Sequence, residues 1–259
     1  MRPLLSVFAL ALAFAACALP PPPQAPREAV SPRPDPSIRS LDDAIERYKA
    51  ELYAEAAWGC AEVAAGRLAG DPQLAAFWLA KSYFRLEDHR RAAAILKAIA
   101  AEPEHPAYLL SLPWLFQLHL EDLDDRQVLQ AIGSYDLSVL EHPDLIDMAD
   151  DFRVAFAAYR LSVGDIQVAY ALAADVGADA FSFAESQLIA GLAVDRMGRR
   201  QEAIARLQAA AREPPKPPRR VQRRQRRRGY TPSRTESAEA EVRARARHEL
   251  ALRGAPMAD

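Results

Sequence analysis

The side chains that could support catalysis or metal binding are scattered along the 259-residue chain. Its five histidines are His89, His105, His119, His142 and His248. None of them forms the His-Glu-x-x-His pair that places two zinc ligands on one helical face. His119 lies beside four acids, Glu121, Asp122, Asp124 and Asp125, which raises a divalent-metal site as one interpretation. Because this stretch lacks the glycine and the distal glutamate of a calcium-binding loop, we favour a solvated corner between helices and expect no metal.

Two cysteines, Cys17 and Cys60, are too few for a disulfide framework or a cysteine-based zinc site. Cys60 lies in a helical stretch with Ala57 and Val63, so we expect it to be a core residue and not a nucleophile. The chain has no phosphate-binding Gly-x-x-x-x-Gly-Lys-Ser/Thr loop, no Gly-x-Gly-x-x-Gly and no Gly-x-Ser-x-Gly elbow. We therefore predict no catalytic residues, no cofactor and no enzymatic activity. The tryptophans Trp58, Trp78 and Trp114 are expected to fill space between helices, with a ligand-binding groove as the alternative.

A basic segment near the C-terminus is the most strongly charged feature. Residues 214–235 carry nine Lys/Arg and no acid, whereas residues 41–213 carry 28 Asp/Glu and 16 Lys/Arg. Its core consists of Arg219, Arg220, Arg223, Arg224, Arg226, Arg227 and Arg228. Such a stretch would bind nucleic acid in a cytosolic protein, but the export signal described next argues against that partner. The alternatives are contact with the chain's own acidic segment 102–151, with anionic lipid or lipopolysaccharide, or with an acidic partner, and a merely solvated loop.

The N-terminus has the pattern of an export signal. Arg2 precedes an apolar run, Leu4 to Ala16, which is interrupted only by Ser6 and is too short to span a bilayer. Ala15-Ala16-Cys17 resembles the processing box of bacterial lipoproteins, although Phe14 stands where leucine is usual. That resemblance implies a signal peptide over 1–16, lipidation of Cys17 and, from Ala18, sorting to the outer membrane. An ordinary secretory signal releasing a periplasmic protein, or an uncleaved membrane anchor, is the alternative.

A proline-rich linker follows over residues 17–37. Eight prolines occur among the seventeen residues 20–36, and proline cannot continue a helix because it lacks the amide donor. We expect a disordered, extended tether of polyproline type, reaching about 50 Å at roughly 3 Å per residue.

Residues 38–215 show recurring helix starts and stops, with small residues at regular spacing. The positions expected to pack the helices of the repeats are Ala80, Tyr83, Ala92, Ala157, Gly164, Ala169, Gly191, Gly198 and Ala203. Tyr83 is expected to fill the gap to the neighbouring hairpin, whereas Ala80 or Gly191 on the first helix and Ala92 or Ala203 on the second are expected where the two helices of a hairpin cross. Small side chains there allow helix axes to approach to about 8–10 Å. These residues resemble the tetratricopeptide repeat, over 41–103 and 152–215. The resemblance implies an all-α fold, an α-solenoid of helical hairpins with a concave groove.

The expected helix bounds are less regular in two places. The second helix of the first copy, Ala54 to Leu68, is about four residues too long for the repeat. In the acidic middle we expect helices over 107–119, 126–140 and 143–162, with Pro113 splitting or kinking the first. A mobile arginine-rich loop over 216–235 and a C-terminal helix and tail over 236–259 complete the chain, with Val242, Leu250 and Leu252 covering the last repeat.

Together these features predict a non-enzymatic scaffold or adaptor of the bacterial cell envelope. It resembles the lipid-anchored repeat proteins that support assembly of an outer-membrane or envelope-spanning complex of the secretion, pilus or motility type. That resemblance implies protein partners and attachment to a membrane through the lipid, and no nucleic acid. The alternative is a structural protein that binds anionic membrane or envelope polymer through the arginine segment.

Overall fold

The computed structural model describes residues 32–122, 125–178, 180, 182–212 and 232–255, with the side chains of the last stretch described from Ala238. These residues form an all-α fold without strands. The α-helices are α1 (Leu41–Lys49), α2 (Tyr53–Ala64), α3 (Pro72–Arg85), α4 (His89–Ala100), α5 (Tyr108–Glu121), α6 (Arg126–Gly133), α7 (Ala149–Ser162), α8 (Ile166–Ala174), α9 (Phe183–Arg196), α10 (Arg200–Ala211) and α11 (Pro232–Leu252). Across these described stretches, no helix combines the length and the apolar character needed to cross a membrane.

Polar residues fix where several helices begin. Ser40 and Asp43 form a reciprocal capping box at the start of α1. The carboxylate of Asp71 accepts hydrogen bonds from two amides at the start of α3, where Pro72 occupies the first helical position. Asp88 and Asp125 cap α4 and α6 in the same way. Ahead of α1, the amide of Arg33 donates to the carbonyl of Ala54 at 3.0 Å, so residues 32–37, expected at the end of the linker, lie against the helices.

Four turns between consecutive helices share one geometry. The residue at the turn has a positive φ in each case: Glu51 (62°), Glu87 (61°), Gly164 (87°) and Gly198 (80°). Its amide donates to the carbonyl three residues before it, and the next amide donates to the carbonyl five residues before itself. This is the Schellman ending of a helix, with the second helix beginning almost at once. The pairs α1–α2, α3–α4, α7–α8 and α9–α10 are therefore four hairpins of the same type.

The four hairpins also share the positions of their small residues. Seven residues before each turn residue lie Ala44, Ala80, Ala157 and Gly191, and five residues after it lie Ala56, Ala92, Ala169 and Ala203. All eight are buried. A Cβ built at Gly191 would lie 3.0 Å from Cγ of Leu207 on the facing helix, so the crossing is already at contact distance.

Two predicted packing positions have another role. No atom lies within 4 Å of a Cβ built at Gly164 or Gly198, so these glycines provide the positive φ of the turn and not a close crossing. The expected length of the first copy was also wrong, because α2 ends at Ala64 and not at Leu68. In the first hairpin, Ala44 and Ala56 lie at the same positions relative to the turn as the corresponding small residues of the other three hairpins.

The acidic middle departs from the expected helices. Helix α5 continues through Pro113 to Glu121, so the proline does not split it. Helix α6 ends at Gly133 instead of residue 140, and two short 3₁₀ turns, Leu137–Glu141 and Ile146–Met148, precede α7, which begins at Ala149 and not at 143. His142 is extended (φ −66°, ψ 131°), because a residue before proline avoids the helical region.

The C-terminal helix covers the end of the last hairpin. Helix α11 begins at Pro232, earlier than the expected start at 236, and packs on α10 and α9 and against α5. Val242 and Leu250 are buried in a cluster with Leu207 and Ala210, as expected. Leu252 is 67% exposed, so its predicted contact with the last hairpin was wrong.

Candidate binding surface

The structure separates the predicted site residues into two groups. The small residues of the hairpins lie at helix crossings inside the fold, and Tyr83 on α3 is buried beneath the guanidinium of Arg91. Cys17 and the seven arginines between Arg219 and Arg228 lie outside the described residues. The predicted positions therefore build the framework, and the candidate binding residues come from side chains that the spacing of small residues does not reveal.

An aromatic surface forms where α1, α3 and α5 meet. We define it by Tyr48 on α1, Phe77 and Trp78 on α3, and Trp114 on α5. Tyr48, Trp78 and Trp114 are partly exposed, and the rings of Tyr48 and Trp78 are in edge contact with centroids 5.2 Å apart. Three helices that are not consecutive in the chain contribute to this surface, so the stacking of the hairpins positions it.

The ammonium group of Lys81 lies in the middle of the aromatic surface. Its Nζ is 3.4 Å from the centroid of the Trp78 ring, 4.8 Å from that of Tyr48 and 5.3 Å from that of Trp114. Such contacts stabilise a cation by roughly 0.5–2 kcal/mol, depending on how far it is removed from water. A helical spacing of three residues from Trp78 to Lys81 places both side chains on one face of α3.

Within the described residues, Lys81 has cationic and aromatic neighbours and no carboxylate partner. Burial lowers the pKa of Lys81 to about 8, and the positive charge of Arg85 acts in the same direction. The thiol of Cys60 below it opposes this effect weakly, and burial raises the pKa of that thiol to about 12. Among the described residues, the charged or titratable groups that perturb the pKa of Lys81 are these two, and neither is a carboxylate. The surface is therefore a positively charged aromatic site suited to a negatively charged group.

Arg85 extends the positive charge along α3. Its Nε donates to the hydroxyl of Tyr48 at 3.4 Å, and its guanidinium carbon is 5.9 Å from the Trp114 ring. Arg85 itself is exposed. From the sequence, Trp78 and Trp114 were expected mainly to fill space between helices, and no role was predicted for Lys81. The run Trp78, Lys81, Arg85, at intervals of three and four residues, is the signal that could have revealed this surface.

The His119 region does not form the acidic cluster considered from the sequence. Asp125 caps α6 with hydrogen bonds to the amides of Gln127 and Val128, and Asp124 lies outside the described residues. His119 is buried and faces Glu185 on α9 instead. No set of three or more His, Cys, Asp or Glu side chains within the described stretches is arranged to hold a metal ion. Cys60 is fully buried in the core of the first hairpin, as expected.

Comparisons with known proteins give no further information about this surface. Protein-family models, curated proteins and solved structures were each compared with the chain, and none of the three gave a match.

Proposed function

We propose that this protein is a non-enzymatic adaptor of the bacterial cell envelope, anchored by a lipid on Cys17, that binds a protein partner through the aromatic surface. In this role it supports assembly of an outer-membrane or envelope-spanning complex of the secretion, pilus or motility type. The envelope location depends on the lipoprotein-like N-terminus, with a periplasmic secreted form as the alternative. The docking role depends on the helical body.

The repeated hairpins support a docking role. Four hairpins with one turn geometry and one register of small residues are what a tetratricopeptide-like solenoid requires. Such folds bind partners over extended surfaces made by successive repeats. Here α1, α3 and α5 contribute one side chain or more each to a single surface, which fits that mode of binding.

The observation that carries the proposal is the position of Lys81. In the part of the chain that the structure describes, no carboxylate lies beside this partly buried ammonium group, so it lacks the ion pair that normally compensates desolvation. An acidic partner segment supplies that charge, and an aromatic or proline residue next to the acid would pack against Trp78 and Trp114. Aromatic and arginine residues are also the most frequent contributors to binding energy at protein interfaces. We therefore assign the partner as a protein segment with an acid next to an apolar residue.

A peptide-library selection tests this assignment. The full-length chain, purified in detergent, is used to select binders from random peptides, in parallel with Lys81→Met and the control Lys97→Met on α4. We expect enrichment of Asp or Glu adjacent to an aromatic residue or proline for the full chain and for Lys97→Met, and loss of that enrichment for Lys81→Met. An identical set of peptides from all three proteins would contradict the proposal.

A second experiment tests the location and the alternative function. Labelling with palmitate is expected for the full chain and not for Cys17→Ala. Deleting residues 216–228 and measuring salt-dependent binding to anionic vesicles tests the arginine segment separately. If peptide binding is lost with that deletion while the helical body stays folded, the structural, membrane-binding alternative is favoured over the adaptor.

A further inference from the structure

An open cleft lies between the start of α5 and the turn that follows α6. Its volume is about 600 Å³, within the range of roughly 300–1,000 Å³ that is usual for ligand sites. Its polar lining residues are His105, Ser134, Asp136, Ser138 and His142, and its apolar lining residues are Pro103, Pro106, Tyr108, Leu109 and Val139. None of them belongs to the aromatic surface, so the cleft is a separate site.

His105 supplies a hydrogen-bond donor to this cleft. The residue is 8% exposed, and its Nδ1 accepts a hydrogen bond from the amide of Ala107 at 3.0 Å. The proton of the neutral ring is therefore on Nε2. None of the hydrogen bonds among the described residues involves Nε2, and this atom, unlike the ring nitrogens of His119, is not closed off from the surface. Because polar groups on buried side chains are almost always paired, this N–H is suited to bind an acceptor such as a peptide carbonyl oxygen.

Asp136 gives the cleft a negative charge. Its Oδ1 accepts a hydrogen bond from the amide of Ser138 at 2.8 Å, and hydrogen bonding to Ser138 lowers the pKa of Asp136, so the carboxylate is ionised at neutral pH. The lining residues include no Lys or Arg, and no cation from the described part of the chain acts on this carboxylate. The surrounding sequence has the same sign, because residues 102–151 contain twelve acids and, as the one Lys or Arg, Arg126. This charge favours a positively charged ligand.

The ring of Tyr108 lies near this carboxylate. Burial raises the pKa of the Tyr108 hydroxyl, and the negative charge of Asp136 adds to that effect, so the two groups are close. Tyr135 holds the ring in place, since the two rings stack with centroids 4.4 Å apart and the Tyr135 hydroxyl donates to the carbonyl of Tyr108 at 3.0 Å. Arginine pairs with a carboxylate through two parallel hydrogen bonds and also stacks on aromatic rings, whereas lysine is a compact point charge.

We propose that this cleft binds an arginine-containing segment of a protein partner. The guanidinium group pairs with Asp136 beside the Tyr108 ring, and its aliphatic stem packs against the apolar lining residues. A neighbouring backbone carbonyl of the partner accepts a hydrogen bond from Nε2 of His105. An acidic segment is assigned above to the aromatic surface, so the two sites select segments of opposite charge.

Anisotropy titrations with two matched fluorescein-labelled peptides test this proposal on the full-length chain in detergent. One peptide is Gly-Ala-Arg-Ala-Gly, and the other has citrulline, which has the shape of arginine without its charge. We expect the arginine peptide to bind at least tenfold more tightly. This preference should disappear in Asp136→Asn and remain in the control Asp42→Asn, which removes the same charge from an exposed position on α1. Because asparagine caps a helical turn as well as aspartate does, Asp136→Asn keeps the turn after α6.

The contact with His105 is tested by His105→Phe. This variant should weaken binding of both peptides at least threefold and leave their ratio unchanged, because both peptides carry the backbone carbonyl. Unchanged binding to folded His105→Phe would overturn this contact. Absence of binding to the full chain, equal binding of the two peptides, or a preference that persists in Asp136→Asn would each overturn the proposal as a whole.

Deleting residues 216–228 distinguishes a partner from the chain's own arginine segment. An unchanged affinity for the arginine peptide supports a partner as the occupant. A gain of at least tenfold would mean that the chain's own segment competes for the cleft, and would overturn that assignment. Lys81→Met should leave the arginine preference unchanged, and Asp136→Asn should leave the enrichment of acidic peptides unchanged. Failure of this proposal therefore leaves the proposed docking function untouched.

Discussion

Apolar side chains are covered at the C-terminal end of the helical body and stay partly exposed in its N-terminal part. At the C-terminal end, α11 covers the last hairpin, and Leu207 on α10 and Leu250 on α11 are fully buried in the contact between them. On α1, α3 and α5, large aromatic rings stay partly exposed around the ammonium group of Lys81. Covering an apolar face stabilises a fold, whereas leaving aromatic rings at the surface is the usual feature of a binding site. This difference is the reason why we propose that a partner docks on the N-terminal part of the molecule.

Weakening the contact between α11 and the last hairpin should lower the stability of the fold more than any other change proposed here. Leu250→Ala should lower the free energy of unfolding by about 3 kcal/mol, because it leaves a cavity against Leu207. Leu252→Ala, two residues further on and 67% exposed, should change it by less than about 0.5 kcal/mol. Urea denaturation of the two variants measures both values. Equal effects would contradict the assignment of α11 as a cover.

A close contact joins the irregular middle to the C-terminal hairpins. A Cβ built at Gly133 at the end of α6 would lie 2.1 Å from Cδ1 of Tyr159 on α7. Gly133→Ala should therefore lower the free energy of unfolding by about 2 kcal/mol through overpacking. Elsewhere in a helix, alanine in place of glycine usually raises stability.

The double variant Gly133→Ala with Tyr159→Ala provides the control for this contact. Once the ring is removed, the alanine at 133 should be neutral or stabilising. A double-mutant cycle from denaturation curves measures the coupling between the two positions. Additive effects would show that the two residues are not in contact.

The aromatic surface should show its own dependence of stability on pH. Burial lowers the pKa of Lys81 from 10.5 to about 8, so between these values the unfolded chain binds more protons than the folded one. The contribution of Lys81 to stability therefore rises as the pH increases from 8 toward 10.5. Lys81→Met should be more stable than the parent chain at pH 7 by on the order of 1 kcal/mol, allowing for solvent screening, and this difference should shrink by pH 9.5.

Lys97→Met is the matched control for this measurement. It removes an exposed hydrogen bond to Gln127 and should give a pH profile parallel to that of the parent chain. A constant difference between Lys81→Met and the parent from pH 7 to 9.5 would mean that Lys81 titrates as in water.

The repeated hairpins could be predicted from the sequence because each depends on local spacing. Alanine or glycine must lie where two helices cross, and the positions of Ala80, Ala92 and Gly191 follow directly from that need. The second helix of the first hairpin was predicted to reach Leu68, but the chain leaves the helix after Ala64 at Gly66, which has a φ of 72°. Helix α6 was expected to reach residue 140, but it ends at Gly133, and Asp136 caps the short 3₁₀ turn that follows.

The candidate sites were harder to predict than the fold. Lys81 meets Tyr48 and Trp114 only through packing of α3 between α1 and α5. His119 was considered with its neighbours in sequence, yet its polar contact is Glu185, on a helix that begins more than sixty residues later. Hydrophobic periodicity locates helices, and it carries no information on which polar side chains they bring together.

Site-specific photocrosslinking in cells tests whether a protein partner docks on the aromatic surface. A photoreactive residue at Arg85, on the aromatic surface, is compared with one at Arg90, which is exposed on α4. We expect a discrete protein adduct from position 85 that Trp114→Ala abolishes, and none from position 90. Adducts of equal yield at both positions, or an adduct at 85 that persists in Trp114→Ala, would contradict docking at the aromatic surface.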